Sequence, residues 1–368
     1  MSPEISYDVL MVNKTSETFP SGARTCEEKG RKHMLRKFVG VLAALSGLAA
    51  TPVLADNTKV TFMLDFISLG RHAPWYVALD KGYFAEEGLD VEILPSKGTA
   101  DAIRGVVTGL APIGFIDVPS LVASGAAGGD IKIVAGAYVE APYCVYSLNP
   151  GANVTEPKQL EGLKFGSSSA SFLPQIWRAI MNMNGLDASK LEIVNVDASA
   201  RVPMLAAGQI EGVDQFLMSG PAIKRAAPDK QPVCLFAPDL GLDIYSNSIG
   251  VNKTFLESNP DAVKGFVRAA MKGWQYTMAH RDEATEIMVK HVESLDPAIV
   301  REEIDLLEKI AINDDVKANG FGHILPEKMA ATFDFMNNNV EIYGDKLKVE
   351  DIYVPGFLPE PGVLPEVN

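Results

Sequence analysis

Apolar and polar positions follow two alternating periods along the chain. Short apolar runs rich in β-branched residues, Val60–Phe66, Val91–Leu94, Ile113–Ile116 and Ile131–Ala135, are separated by segments with helical spacing, Pro74–Lys81, Ala100–Thr108 and Pro119–Ala126. A second series follows, with strands at Leu163–Gly166, Leu191–Val196, Gly212–Leu217 and Pro232–Phe236 and helices near Ser171–Met183, Arg201–Ala207 and Gly220–Ala227. Strand and helix alternating in this way predict βαβ units and a mostly parallel sheet. Two series predict two α/β lobes.

The two series also share detail. Gly98-Thr99-Ala100-Asp101 opens a helix ending at Gly109 before the strand Gly114-Phe115-Ile116-Asp117; Ser199-Ala200-Arg201 opens one ending at Gly208 before Gly212-Val213-Asp214. Both strands then enter a helix with a proline near its start, Pro119 and Pro221, the favoured first-turn position. Ser246–Val251 reads as one further strand. The helical remainder, Asp261–Ala279, Arg281–Val292 and Pro297–Ile310, has no strands of its own and is expected to return to the first lobe. The chain therefore crosses between lobes twice, near 139–146 and 242–250. The expected organisation is lobe 1 at 56–142 and 247–345, lobe 2 at 143–246, and a C-terminal tail at 346–368, with a ligand cleft between the lobes.

The N-terminus is different material. Met34-Leu35-Arg36-Lys37 is basic, Phe38–Ala50 is apolar and about thirteen residues long, and Val53-Leu54-Ala55 is a small-residue cleavage site. Residues 34–55 thus read as a signal peptide, too short for the roughly 20 residues of a membrane span. Residues 1–33 read as an over-extended start. Export to the periplasm is expected, and no cysteine follows the cleavage site to carry a lipid anchor.

Composition narrows the possibilities. The 368 residues suffice for two ordinary cores. Whole-chain net charge is −14, and Asp56 onward carries 26 Lys or Arg against 42 Asp or Glu, a net charge of −16. That argues against a nucleic-acid or anionic-membrane surface. Cys144 and Cys234 are the thiols after the cleavage site. An oxidising compartment allows them one disulfide, but both sit in apolar runs where two plain buried thiols are the favoured reading.

Candidate chemistry gathers at strand-to-helix turns, where open α/β sheets bind ligands and helix N-termini offer free N–H groups. The first turn holds Asp65, Arg71, His72, Trp75 and Tyr76; Trp75 and Tyr76 read equally as core, and His72 as a cap. The second is Lys97-Gly98-Thr99-Ala100, and the third is Asp117-Val118-Pro119-Ser120. The fourth, Gly166 to Phe172, concentrates Ser167, Ser168, Ser169, Ser171 and Phe172, with no Lys-Ser/Thr to make it a phosphate loop. The fifth runs from Asp214-Gln215-Phe216 to Ser219, and Tyr138, Tyr143 and Tyr245 stand at the crossings. Nucleophile elbows, His-x-x-x-His and Cys-x-x-Cys are absent from the sequence, and the histidines after the cleavage site, His72, His280, His291 and His323, have no companion ligands. No metal or cofactor is expected. Aromatic and hydroxyl groups without an activated nucleophile suit holding a solute more than transforming it.

The run from His72-Ala73-Pro74-Trp75-Tyr76 through Lys81-Gly82-Tyr83-Phe84 to Gly88-Leu89-Asp90-Val91 resembles the signature of periplasmic substrate-binding proteins of ABC importers in the nitrate/sulfonate/taurine and thiamine-pyrimidine (THI5-like, NMT1) family. Further matches are Gly208–Asp214, Asn259-Pro260-Asp261-Ala262-Val263, and Asp351-Ile352-Tyr353 with Phe357-Leu358. The resemblance spans residues 58–358. It implies a type II periplasmic-binding-protein fold, two α/β lobes with two hinge crossings, acting as a monomer with an ABC permease and ATPase. A histidine at 72 resembles the pyrimidine-precursor branch, whose ligands are flat heteroaromatics. On that basis the expected ligand set is Asp65, His72, Trp75, Gly98, Thr99, Asp117, Ser167, Ser168, Ser169, Phe172, Asp214 and Tyr245. Trp75, Phe115, Phe172 and Tyr245 would stack on the ligand and the aspartates would accept its N–H groups. Sulfonate, taurine or nitrate is the alternative cargo. A THI5-like pyrimidine synthase is the enzymatic alternative, disfavoured because Gly241–Ser248 lacks the cysteines that the resemblance places there.

Overall fold

The structure, a computed structural model, describes residues 57–366. The signal peptide and start expected at 1–55 lie outside them. Ten strands form two five-stranded sheets: β1 (Thr58–Met63), β2 (Leu89–Leu94), β3 (Ile113–Asp117), β4 (Ile131–Gly136), β5 (Tyr143–Asn149), β6 (Lys164–Ser167), β7 (Glu192–Asn195), β8 (Gly212–Phe216), β9 (Gln231–Phe236) and β10 (Asn247–Asn252). The first sheet has the order β2-β1-β3-β10-β4 and the second β7-β6-β8-β5-β9.

The two orders are one plan used twice. In each sheet four strands are parallel and the strand arriving from the other half is antiparallel to both neighbours, β10 between β3 and β4, β5 between β8 and β9. The apolar run Tyr143–Tyr146, at the end of the expected crossing 139–146, is buried on both faces and makes a full strand of the second sheet. A run buried on both sides reads as a strand interior, and its direction was not legible from its pattern. The connections between sheets are 137–142 and 237–246.

The same pairing corrects the reading of the cysteines. Cys144 on β5 and Cys234 on β9 are held on adjacent antiparallel strands with Cα atoms 5.4 Å apart and form a disulfide. Apolar surroundings suggested two buried thiols, but strand register is decided by tertiary pairing and is invisible in either run alone.

The helical return packs on the first lobe. Pro260–Ala279 lies against Ala73–Asp80 and Tyr83–Glu86 so closely that a Cβ on Gly273 would stand 2.4 Å from the Pro74 carbonyl oxygen. Trp75 is buried there between Phe62, Phe115 and Trp274, with ring centroids 4.9, 5.0 and 5.8 Å away. Gly82, at φ 76°, terminates the preceding helix in the left-handed conformation that glycine adopts without strain. The tail adds a short helix, Val349–Ile352, and a parallel bridge from Tyr353 to Ile133 at the edge of the first sheet.

A candidate solute site between the lobes

The carboxyl ends of β1, β3, β6 and β8 converge on a narrow cavity of about 50 Å³. Asp65, Gly98, Thr99, Asp117, Phe172 and Asp214 of the expected set line it. Phe66, Arg71, Ser120, Arg201, Gln215 and Phe216 do so too. Both lobes contribute.

Each lobe places one arginine against a carboxylate of its own and a phenyl ring of the other. Arg71 Nη2 lies 3.0 Å from Asp65 Oδ2, and its guanidinium sits 4.7 Å from the centre of Phe216. Arg201 Nη1 lies 2.8 Å from Asp214 Oδ1, its Nη2 donates to Ser168 Oγ at 2.8 Å, and its guanidinium sits 5.4 Å from the centre of Phe66. These crossed contacts hold the lobes together over the cavity. Backbone closes one side: Ala100 N–H donates to Ala170 O at 3.3 Å, and a Cβ on Gly98 would meet that oxygen at 2.8 Å.

His72 does not reach the cavity. It is buried behind Asp65: Leu69 N–H donates to Nδ1 at 3.1 Å, so Nε2–H donates to Asp65 Oδ1 at 2.9 Å. Burial and then the neighbouring Arg71 charge lower its pKa to about 4, leaving the imidazole neutral near pH 7. For Asp65, burial works against ionisation, but Arg71 and His72 outweigh it and hold the carboxyl at about 2. Burial raises the carboxyls of Asp117 and Asp214, opposed by their hydrogen bonds and, at Asp214, by Arg201.

The three carboxylates differ in how much accepting capacity they have left. An ionised carboxylate offers about four acceptor sites. Asp117 accepts the Ser120 N–H at 2.8 Å, the Ser120 hydroxyl, Tyr143 OH at 2.5 Å and Ser246 Oγ at 3.1 Å. Asp214 accepts Arg201, Ser167 Oγ at 2.7 Å and the Ser171 hydroxyl. Among the described residues Asp65 accepts only from His72 and Arg71. On the donor side, Gln215 lines the cavity; its Oε1 accepts Ser219 Oγ at 3.0 Å, and its amide nitrogen has no hydrogen-bond partner among the described residues.

Several expected ligand residues stand elsewhere. Trp75 and Phe115 are core, because their rings pack on each other and on the helical return. Tyr245 is buried at the second crossing, its OH accepting from Leu325 N–H at 2.8 Å. Ser167 is behind Asp214, Ser168 is spent on Arg201, and Ser169 faces outward from the cavity. Arg201 and Phe216 were missed as ligand candidates, although both sit in turns already singled out. A basic residue at a helix start opposes the dipole, and that mismatch was the available signal. Among the described residues no cluster of potential metal ligands occurs, and no helix is long and apolar enough to cross a membrane.

The fold recurs among solved structures. The alkanesulfonate-binding protein SsuA of Xanthomonas axonopodis pv. citri superposes with a TM-score of 0.64 at 13% identity, over 82% of this chain and 100% of that one. The chain belongs to the NMT1/THI5-like family, whose model matches residues 70–284. It is similar to the formylaminopyrimidine-binding protein of Halalkalibacterium halodurans, 24% identical over 275 residues, 72% of this chain and 82% of that one. It is also similar to the 4-amino-5-hydroxymethyl-2-methylpyrimidine phosphate synthase of Candida albicans, 24% identical over 249 residues, 62% and 70% of the two chains.

Proposed function

We propose that this protein is an exported solute-binding receptor of an ABC importer that captures an amino-substituted heteroaromatic of the pyrimidine class. The observation that carries this reading is the polarity of the cavity. Phenyl rings of Phe66, Phe172 and Phe216 suit a flat ring, Asp65 has acceptor sites to spare for an N–H, and Gln215 offers a donor for a ring nitrogen or carbonyl. The formylaminopyrimidine-binding relative supports the same chemistry. Both arginines are already paired with carboxylates, which disfavours sulfonate, taurine or nitrate as cargo. The Cys144–Cys234 disulfide supports an oxidising compartment, hence export. The proposed lobes are 56–142 with 247–345, and 143–246, closing about the two crossings, with a membrane permease and its ATPase as partners.

The synthase-named relatives keep an enzymatic reading in view. Against it, His72 is buried, neutral and committed to Asp65, so it has no access to a substrate in the cavity. Thermal-shift screening of aminopyrimidines, sulfonates and nitrate separates the readings. A true ligand at 100 times its dissociation constant stabilises by roughly 2.7 kcal/mol. Stabilisation by sulfonates alone would overturn the heteroaromatic assignment; chemical conversion of a bound pyrimidine would overturn the receptor reading.

A further inference from the structure

Beyond Thr99, Ser120, Ser171 and Phe172, the cavity adjoins a second chamber of about 230 Å³ that opens to solvent. Its outer wall is Gln175 from the second lobe and Tyr343 from the segment after the helix Pro326–Asn339. Gln175 Nε2 donates to Tyr343 OH at 3.2 Å, bridging the lobes across the chamber mouth.

This wall is built in place. Tyr343 N–H donates to Ala123 O at 2.9 Å, and Gly125, at φ 55°, lies so close that a Cβ would stand 2.1 Å from the Tyr343 carbonyl oxygen. The segment is thereby seated on the first lobe, with a ring that is 59% exposed over the chamber. Gln175 Oε1 is buried without a hydrogen-bond partner. Its lone pairs remain available to a donor.

The chamber differs from the inner cavity in its chemistry. No Asp, Glu, Lys or Arg lines it; its polar groups are the hydroxyls of Thr99, Ser120, Ser124, Ser169, Ser171 and Tyr343 and the Gln175 carboxamide. An ionic group entering it would be desolvated without a counter-charge. Ser120, Ser124 and Ser171 already donate to Asp117, the Leu121 carbonyl and Asp214, so a chain of hydroxyls would find its donors in Thr99, Ser169 and Tyr343 and acceptors in the whole set. We propose that this chamber is a second subsite, taking an uncharged, hydroxyl-bearing extension of the ligand whose ring occupies the inner cavity. The cargo is then a heteroaromatic joined to a polyol or sugar-like arm. This rests on the heteroaromatic reading above.

Calorimetric titration of paired probes tests it: cytosine against cytidine, and lumichrome against riboflavin, each pair sharing a ring and differing in an uncharged polyol. The expected result is that in at least one pair the polyol-bearing partner binds ten-fold or more tightly, and that Gln175→Ala and Tyr343→Ala each bring the ratio within that pair toward one. Equal affinities within both pairs, or ratios unmoved by both substitutions, would overturn the subsite while leaving the heteroaromatic reading intact. Failure of all four probes and of simple aminopyrimidines to bind would remove that reading and the subsite together.

Discussion

At single residues, what decides a role here is which partners a buried polar atom has already taken. Asp65 and Asp117 look alike in the sequence, each following a strand, yet Asp117 is saturated by four neutral donors and Asp65 keeps acceptor sites open. Asp65→Asn is therefore expected to weaken ligand binding by roughly 10- to 100-fold, the loss of one charge-assisted hydrogen bond. Titration calorimetry checks it, and unchanged affinity would remove Asp65 from the ligand. Glu303 carries a second residue-level prediction. Its buried carboxyl lies against the Gly70–Arg71 backbone, and burial, opposed by Arg71, raises it to about 7. Because the folded state holds this proton more tightly than the unfolded chain, the stabilisation is full below about pH 4.5 and is lost as pH rises through 7. Glu303→Gln should match wild type in urea at pH 4.5 and exceed it by up to about 3 kcal/mol at pH 8. An identical pH dependence in both proteins would refute the assignment.

Elements place these residues, and here the sequence was most informative. Strand-to-helix turns were legible because glycine, proline and β-branched runs mark them, and Asp65, Gly98, Thr99, Asp117, Phe172 and Asp214 in those turns line the cavity. Trp75 and Tyr245 were not separable from ligand-stacking residues, because an aromatic beside a turn packs inward or outward according to a helix 200 residues away. The antiparallel insertion of β5 and β10 was hidden for the same reason, and with it the link that Asp117 makes between the two crossings. Tyr143 opens β5 and Ser246 ends the second crossing, so one carboxylate ties both crossings to β3. Two glycines separate closure from packing. Gly98→Ala sets a Cβ against Ala170 of the other lobe, at a φ of 149° that strains any side chain, and is expected to weaken binding by roughly ten-fold through impaired closure as well as to lower stability. Gly273→Ala sets a Cβ against Pro74 inside the first lobe and should lower unfolding stability by about 1–3 kcal/mol without altering affinity. The reverse pattern, measured by urea unfolding and calorimetry, would contradict the assignment of the two contacts.

The whole molecule is two copies of one sheet plan exchanging a strand each, with the chemistry at their facing carboxyl ends and crossed arginine–phenyl contacts over it. The disulfide braces the second sheet across a sequence separation of 90 residues. Its removal in Cys144→Ser/Cys234→Ser is expected to cost up to about 4–5 kcal/mol in urea unfolding, and a reducing agent should reproduce that loss in the parent protein. The central claim, that the cleft holds a neutral heteroaromatic, is tested most directly by native mass spectrometry of protein purified without unfolding. The account predicts one small ring compound per chain, released on denaturation and absorbing in the ultraviolet. Release of a sulfonate or another inorganic or aliphatic anion in its place would contradict it.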